Sequence, residues 1–172
     1  MSKVQGYSLW LMPTGEVYEK LNSLISQLSE KYNAPYFEPH ITLISEILGL
    51  EKEIVSKTDQ LASVVQPYRI EFSRVEYLDE YFKCLFIRVK ETDAIMRANQ
   101  KARKIFGRET DSQYIPHLSL VYGDFSPQTK KEIIREIGRE FNLGFDVDRI
   151  HLFSTNGKPE VWHRVKEFPL IF

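Results

Sequence analysis

The sequence predicts an α+β fold of two pseudo-symmetric lobes, each an antiparallel sheet with flanking helices, with a cleft between them. Three observations predict it. Strand-helix-strand-helix-strand order runs through the chain twice. The hexapeptide Pro39-His40-Ile41-Thr42-Leu43-Ile44 returns as Pro116-His117-Leu118-Ser119-Leu120-Val121. Two pairs of landmarks share nearly one offset: His40 and His117 differ by 117 − 40 = 77, and the pentapeptides starting at Arg74 and Arg149 differ by 149 − 74 = 75. At 172 residues and 42% hydrophobic content, the chain suits one bilobal domain over 1–172 with a substantial core.

Each element has a local reason. Val4 to Met12 reads as a strand, and Pro13-Thr14-Gly15-Glu16 opens a helix with Val17, Leu21, Leu24, Ile25 and Leu28 at helical spacing. Pro35 and Pro39 end that region. His40 to Ser45 is a short strand, Leu50 to Val65 a helix, and Pro67 to Leu78 a strand whose alternation slips before Val75. In the second pass, Tyr81 to Lys90 reads as a strand, Thr92 as an N-cap and Gly107 as a helix stop. Pro116-His117 starts a strand, Ser126-Pro127 caps a helix to about Glu140, and Leu143 to Phe153 and Glu160 to Pro169 close as strands around Asn156-Gly157.

Composition narrows the function classes. Lys plus Arg number 23 against 24 Asp plus Glu, a net charge of −1, so no bulk positive field exists to hold long nucleic acid. A lone Cys84 forms no intrachain disulfide, and the best apolar stretch near the amino terminus, Tyr7 to Met12, is only strand-length. These features read as a cytoplasmic monomer, without membrane attachment, that takes a small ligand.

Within a strand, residues two apart share a face, so each motif aims its His and its hydroxyl at one place while the intervening aliphatics pack behind. One His-x-[Ser/Thr] triplet alone is most simply a strand histidine beside an incidental hydroxyl. Two copies, both preceded by Pro, arise by composition at about one in several thousand. Converging across a pseudo-twofold, His40 and His117 supply a general base and a general acid for in-line displacement at phosphorus, and Thr42 and Ser119 supply donors for the nonbridging oxygens. No cofactor is called for. No His-x-x-His, His-Glu-x-x-His or Cys pair provides a metal site.

The doubled Pro-His-x-[Thr/Ser]-Leu pattern, its spacing and the chain length resemble the two-histidine (2H) phosphoesterase superfamily. Ser8-Leu9-Trp10-Leu11-Met12-Pro13 and the segment Pro116 to Tyr122 resemble its cyclic phosphodiesterase branch. The resemblance implies metal-independent hydrolysis of nucleoside 2′,3′-cyclic phosphates and of ADP-ribose 1″,2″-cyclic phosphate, a by-product of tRNA splicing. It matches His40 and His117 to the catalytic pair and Thr42 and Ser119 to the phosphate-binding pair. It makes the second-motif histidine the base, an assignment that pseudo-symmetry leaves open in the sequence itself. An RNA-end 2′,3′-cyclic phosphodiesterase or 2′-5′ RNA ligase is the rival enzyme reading, and a non-catalytic nucleotide-binding module the rival from another class.

Two aromatics join the candidate substrate site. Trp10 lies on the same strand face as Ser8 and either stacks on a ligand ring or packs against a neighbouring element. Tyr122 matches a branch position near the phosphate, yet strict alternation from Ser119 sends it coreward unless a bulge intervenes or the strand ends at Gly123. His151 and His163 read as satisfied or exposed strand histidines, and the cations between 101 and 108 as a solvated helix face.

Overall fold

The computed structural model describes residues 5–171. Among the described residues are eight strands and four α-helices, in the order β1 Tyr7–Leu11, α1 Gly15–Lys31, β2 Ile41–Ile47, α2 Glu51–Ala62, β3 Tyr68–Glu76, β4 Leu85–Val89, α3 Asp93–Phe106, β5 His117–Val121, α4 Pro127–Ile137, β6 Gly144–Val147, β7 Arg149–Ser154 and β8 His163–Pro169. The expected two-lobed α+β architecture is present. Val4, placed at the head of the first strand by its sequence, lies outside the described residues.

The strands form one antiparallel sheet in the order β6-β3-β4-β5-β2-β1-β7-β8. Reversing that order exchanges β2 with β5, β1 with β4, β3 with β7 and β6 with β8, which is the pseudo-twofold anticipated from the repeat. The equivalent strands β2 and β5 lie edge to edge at the sheet centre, joined through Ile41 opposite Leu118, rather than face to face. Each half also lends an equivalent strand to the other: β3 pairs with β4 of the second pass, and β7 pairs with β1 of the first. The helices cross over in the same way, α1 packing on β5 and α3 on β2. Neither half can bury its apolar face without the other, so the duplication folds as one core.

Three predicted strands are shorter than expected, each for a local reason. The segment from Leu143 to Phe153 breaks at Asp148 into β6 and β7, which stand at positions one and seven of the sheet. One residue spans that separation only because the sheet curls back on itself, so its inner face becomes a concave cleft. The stretch from Tyr81 begins as a 3-10 turn, Tyr81–Lys83, closed by Lys83 N–H to the Glu80 carbonyl at 3.2 Å, and the strand starts only at Leu85. Likewise Pro159–Val161 is a 3-10 turn opened by proline, and β8 starts at His163. The register slip expected before Val75 is there, between Phe72 and Val75. Gly107 ends α3 at φ 67°, and Ser126 caps α4 by accepting from Thr129 N–H; Thr92 stands at its cap position without a side-chain bond.

Gly6 ties the start of β1 to the segment after β7. Its N–H donates to Asn156 Oδ1 at 2.7 Å, and its carbonyl accepts from Thr155 N–H at 3.0 Å. It holds φ +79°, and a Cβ there would sit 2.3 Å from the Ile47 carbonyl oxygen. Gly6→Ala should therefore cost about 2 kcal/mol or more of stability, from both the left-handed backbone and the collision. Urea melts of the two proteins check this; coincident curves would contradict it.

Candidate active site

His40 immediately precedes β2, and His117 opens β5. In each motif proline follows the residue whose carbonyl matters: Glu38-Pro39-His40 and Ile115-Pro116-His117. Proline holds its predecessor extended, and that carbonyl comes to rest beside the imidazole. His40 Nδ1 lies 2.6 Å from Glu38 O, and His117 Nδ1 lies 2.7 Å from Ile115 O. A carbonyl only accepts, so Nδ1 carries the proton in both rings and each neutral Nε2 keeps its lone pair. The two imidazoles, with Thr42 and Ser119, line one cleft of about 440 Å³, within the size range of small-molecule sites.

The hydroxyls differ. Ser119 donates to the Phe82 carbonyl at 2.7 Å, so the 3-10 turn fixes its orientation. Thr42 is half-buried in the cleft, and its backbone carbonyl accepts from Tyr114 Oη–H at 2.8 Å. Directly after each hydroxyl the strand bulges. Against β1, Thr42 pairs with Trp10 and Ile44 with Leu9, leaving Leu43 unpaired; against β4, Ser119 pairs with Phe86 and Val121 with Leu85, leaving Leu120 unpaired. Buried donors accompany both bulges: Asn99 Nδ2 to Leu43 O at 2.8 Å, and Cys84 Sγ to Val121 O at 2.9 Å.

The second bulge decides where Tyr122 goes. By inserting Leu120 it reverses the alternation, so Tyr122 lines the cleft while almost fully buried against Phe37, 3.8 Å between ring centroids. Trp10 also lines the cleft, but both indole faces are covered. His40 stacks on one at 3.5 Å and 8°, Phe153 on the other at 3.8 Å and 20°, and the residue is 2% exposed. The indole packs as a platform under His40. His117 meets Phe86 edge-on at 5.0 Å.

Sequence reasoning missed four contributors. Tyr114 and Phe37 are equivalent under the 77-residue offset (114 − 37 = 77), and each braces the opposite lobe, Tyr114 at Thr42 and Phe37 at Tyr122. Their place just before each proline was the available signal. Phe82 and Trp162 also line the cleft, from turns whose composition reads as strand. Arg103 and Arg108 are not a solvated face. Both line the cleft: Arg103 braces the segment before β5 by donating to the carbonyls of Asp111 and Ser112, and Arg108 donates to those of Ser45 and Glu46 in β2. Glu38 turns its carboxylate away from His40, to Tyr18 Oη–H at 2.8 Å. His163 is exposed. His151 is buried, and its Nδ1 makes no hydrogen bond, standing 3.7 Å from Glu167 Oε1, so it is not the satisfied histidine expected.

Burial sets the protonation states. Desolvation pushes His40 down to about 3, the neighbouring His117 adding to the push. Desolvation also lowers His117, where Lys83 and Arg88 act with it and Glu80 and the Ile115 carbonyl against it. Tyr122 and Tyr114 are driven up by burial and remain phenols. Among the described residues, no group of three or more His, Cys, Asp or Glu is placed to hold a metal ion, and no helix is long and apolar enough to cross a membrane.

The family described as "Cyclic phosphodiesterase-like protein" matches residues 5–170. The chain belongs to that family. It is thereby a phosphodiester hydrolase of the two-histidine phosphoesterase superfamily. It is 26% identical over 166 residues to "Cyclic phosphodiesterase" of Arabidopsis thaliana, covering 92% of each chain. It is 29% identical to "2′,3′-cyclic-nucleotide 3′-phosphodiesterase" of Kluyveromyces lactis, covering 97% of this chain and 89% of that one. Among solved structures, TT0787 of Thermus thermophilus shares the fold at a TM-score of 0.73 and 16% identity, covering 96% of this chain and 98% of that one. Escherichia coli LigT complexed with 3′-AMP shares it at 0.67 and 12%, covering 99% and 100%.

The lowered imidazoles link stability to acid. An unfolded histidine takes up a proton near pH 6.5, while folded His40 refuses it until about 3. Its stabilising contribution is complete above pH 6.5 and is lost as pH falls from there toward 3, by up to about 1.4 kcal/mol per pH unit. Urea melts at pH 7.0 and 4.5 should show a smaller acid loss for His40→Asn than for the native chain; equal losses would contradict the burial argument.

Proposed function

We propose that the chain opens a cyclic phosphodiester on a small nucleotide, a nucleoside 2′,3′-cyclic phosphate or ADP-ribose 1″,2″-cyclic phosphate, to a phosphomonoester without a metal. The observation that carries this reading is the pair of imidazoles, each locked through Nδ1–H, each with Nε2 left unprotonated, and both lining one cleft. Water oxygen attacks phosphorus in line with the ring ester bond. One Nε2 takes the water proton, and the other, as imidazolium, protonates the departing alkoxide as the P–O bond breaks. Thr42 donates to a nonbridging oxygen as charge builds there, and Ser119 does so by turning its hydroxyl from Phe82 O. The phosphate anion supplies what burial denies: lodged between two imidazoles, it favours protonation of one of them. The four motif residues are thus assigned as catalytic and phosphate-binding, with Trp10 positioning His40 and Tyr122 walling the phosphate pocket.

Charge favours a small substrate over an RNA end. Arg103 and Arg108 are already bonded to backbone carbonyls, and Lys83 is paired with Glu80 at 3.0 Å, so these cleft cations do not form an open track for a nucleic-acid backbone. We place the protein in the cytosol as a single bilobal monomer.

Phosphorus NMR with adenosine 2′,3′-cyclic phosphate and ADP-ribose 1″,2″-cyclic phosphate tests the reaction. Turnover should persist in EDTA, and His40→Ala and His117→Ala should each lose several hundredfold or more in kcat/KM. Full activity in either variant would overturn the proposal. Because burial lowers both free imidazoles, the kcat/KM profile should be a bell with its acid limb below pH 6.5, and kcat, read with the anion bound, should peak at higher pH. Coincident profiles would remove the anion's part in protonation.

A further inference from the structure

Resting on the proposed cyclic-nucleotide reading, we infer that Phe82 and Trp162 form an aromatic clamp for the nucleobase and set the preference for nucleosides over base-free sugar phosphates. The two rings line the same cleft, their centroids 6.2 Å apart and their planes at 35°, Phe82 from the turn before β4 and Trp162 from the turn before β8. Both are half-buried, unlike Trp10, whose faces are taken. Tyr122 meets Trp162 at 6.1 Å and 62° and Phe82 at 5.0 Å and 82°, while Tyr81 meets Phe82 at 4.9 Å and 81° and Trp10 meets Trp162 at 5.9 Å and 68°, so edge-to-face neighbours hold both rings in place beside the cleft.

A planar base between two rings needs about 7 Å, two contacts of about 3.5 Å. The slot is therefore about 1 Å short of that width. The elements that would yield are slight: Phe82 sits on the three-residue turn Tyr81–Lys83, and Trp162 ends the turn Pro159–Val161, where Val161 is 63% exposed. The indole N–H is spent on the Gly157 carbonyl at 3.2 Å. Trp162 thus offers a base its π surface and no hydrogen-bond donor, which makes recognition tolerant of base identity but not of base absence. The Phe82 backbone joins the clamp to the chemistry, because its carbonyl holds the Ser119 hydroxyl.

The test compares adenosine 2′,3′-cyclic phosphate with ribose 2,3-cyclic phosphate in the native protein, Trp162→Ala, Phe82→Ala and Trp162→Phe. Trp162→Ala and Phe82→Ala should each raise the KM ratio of adenosine to base-free substrate by about tenfold or more, in KM rather than kcat, and Trp162→Phe should restore most of it. Native KM values for the four nucleoside 2′,3′-cyclic phosphates should fall within about tenfold of one another. An unchanged ratio, or a phenylalanine variant as impaired as alanine, would overturn the clamp. If the native protein hydrolyses neither substrate, the catalytic reading fails on its own. Calorimetric binding of 2′-AMP against inorganic phosphate then decides the clamp: preference for 2′-AMP lost in Trp162→Ala upholds it, and no preference in the native protein overturns it.

Discussion

The site depends on one interaction made twice, the hydrogen bond from histidine Nδ1–H to the carbonyl two residues earlier. Proline supplies it by holding that residue extended, so the sequence Pro-His is a device for fixing a tautomer. The bond limits imidazole rotation, stations the proton on Nδ1 and leaves Nε2 with its lone pair, the atom on which the proposed mechanism relies. Without it, burial would hold a neutral ring whose lone pair could face either way, and the proposed base and acid roles would have no fixed address.

The surrounding architecture brings two such units together and excludes water from behind them. Exchange of β3 and β7 between the halves and crossing of helices weld them into a single curled sheet, with β2 and β5 adjacent at its centre. The paired bulges at Leu43 and Leu120 change the direction of the chain just past each hydroxyl. The rings around the histidines are not equivalent. His40 lies flat on Trp10, which Phe153 backs, whereas His117 meets only the edge of Phe86. A symmetric scaffold thereby carries two imidazoles in different settings, as the proposed chemistry of one base and one acid requires.

Much of this was legible in the sequence because the repeat is exact in kind where chemistry lives. Pro39-His40 and Pro116-His117, with hydroxyls two residues on, located both motif strands and their shared face. The alternation slip before Val75 and the stop at Gly107 followed from residue pattern alone. What escaped were features set by tertiary placement. Tyr81 to Lys83 has the composition of a strand, yet it turns because β4 starts only at Leu85. Trp10 and Trp162 are both large rings near strand ends, and only the neighbours show that one is enclosed and the other borders the cleft. Tyr122 hinged on a bulge that alternation names as a condition but does not announce. The roles of Arg103 and Arg108 lie in carbonyls more than sixty residues distant in one case, beyond any local pattern.

The most direct measurement of the central claim is a long-range proton–nitrogen NMR spectrum of the imidazoles in nitrogen-15-labelled protein at pH 7. His40 and His117, assigned by their single substitutions, should both appear as neutral rings with protonated Nδ1 and free Nε2. Protonation at Nε2 in either ring, or imidazolium in both, would contradict the account.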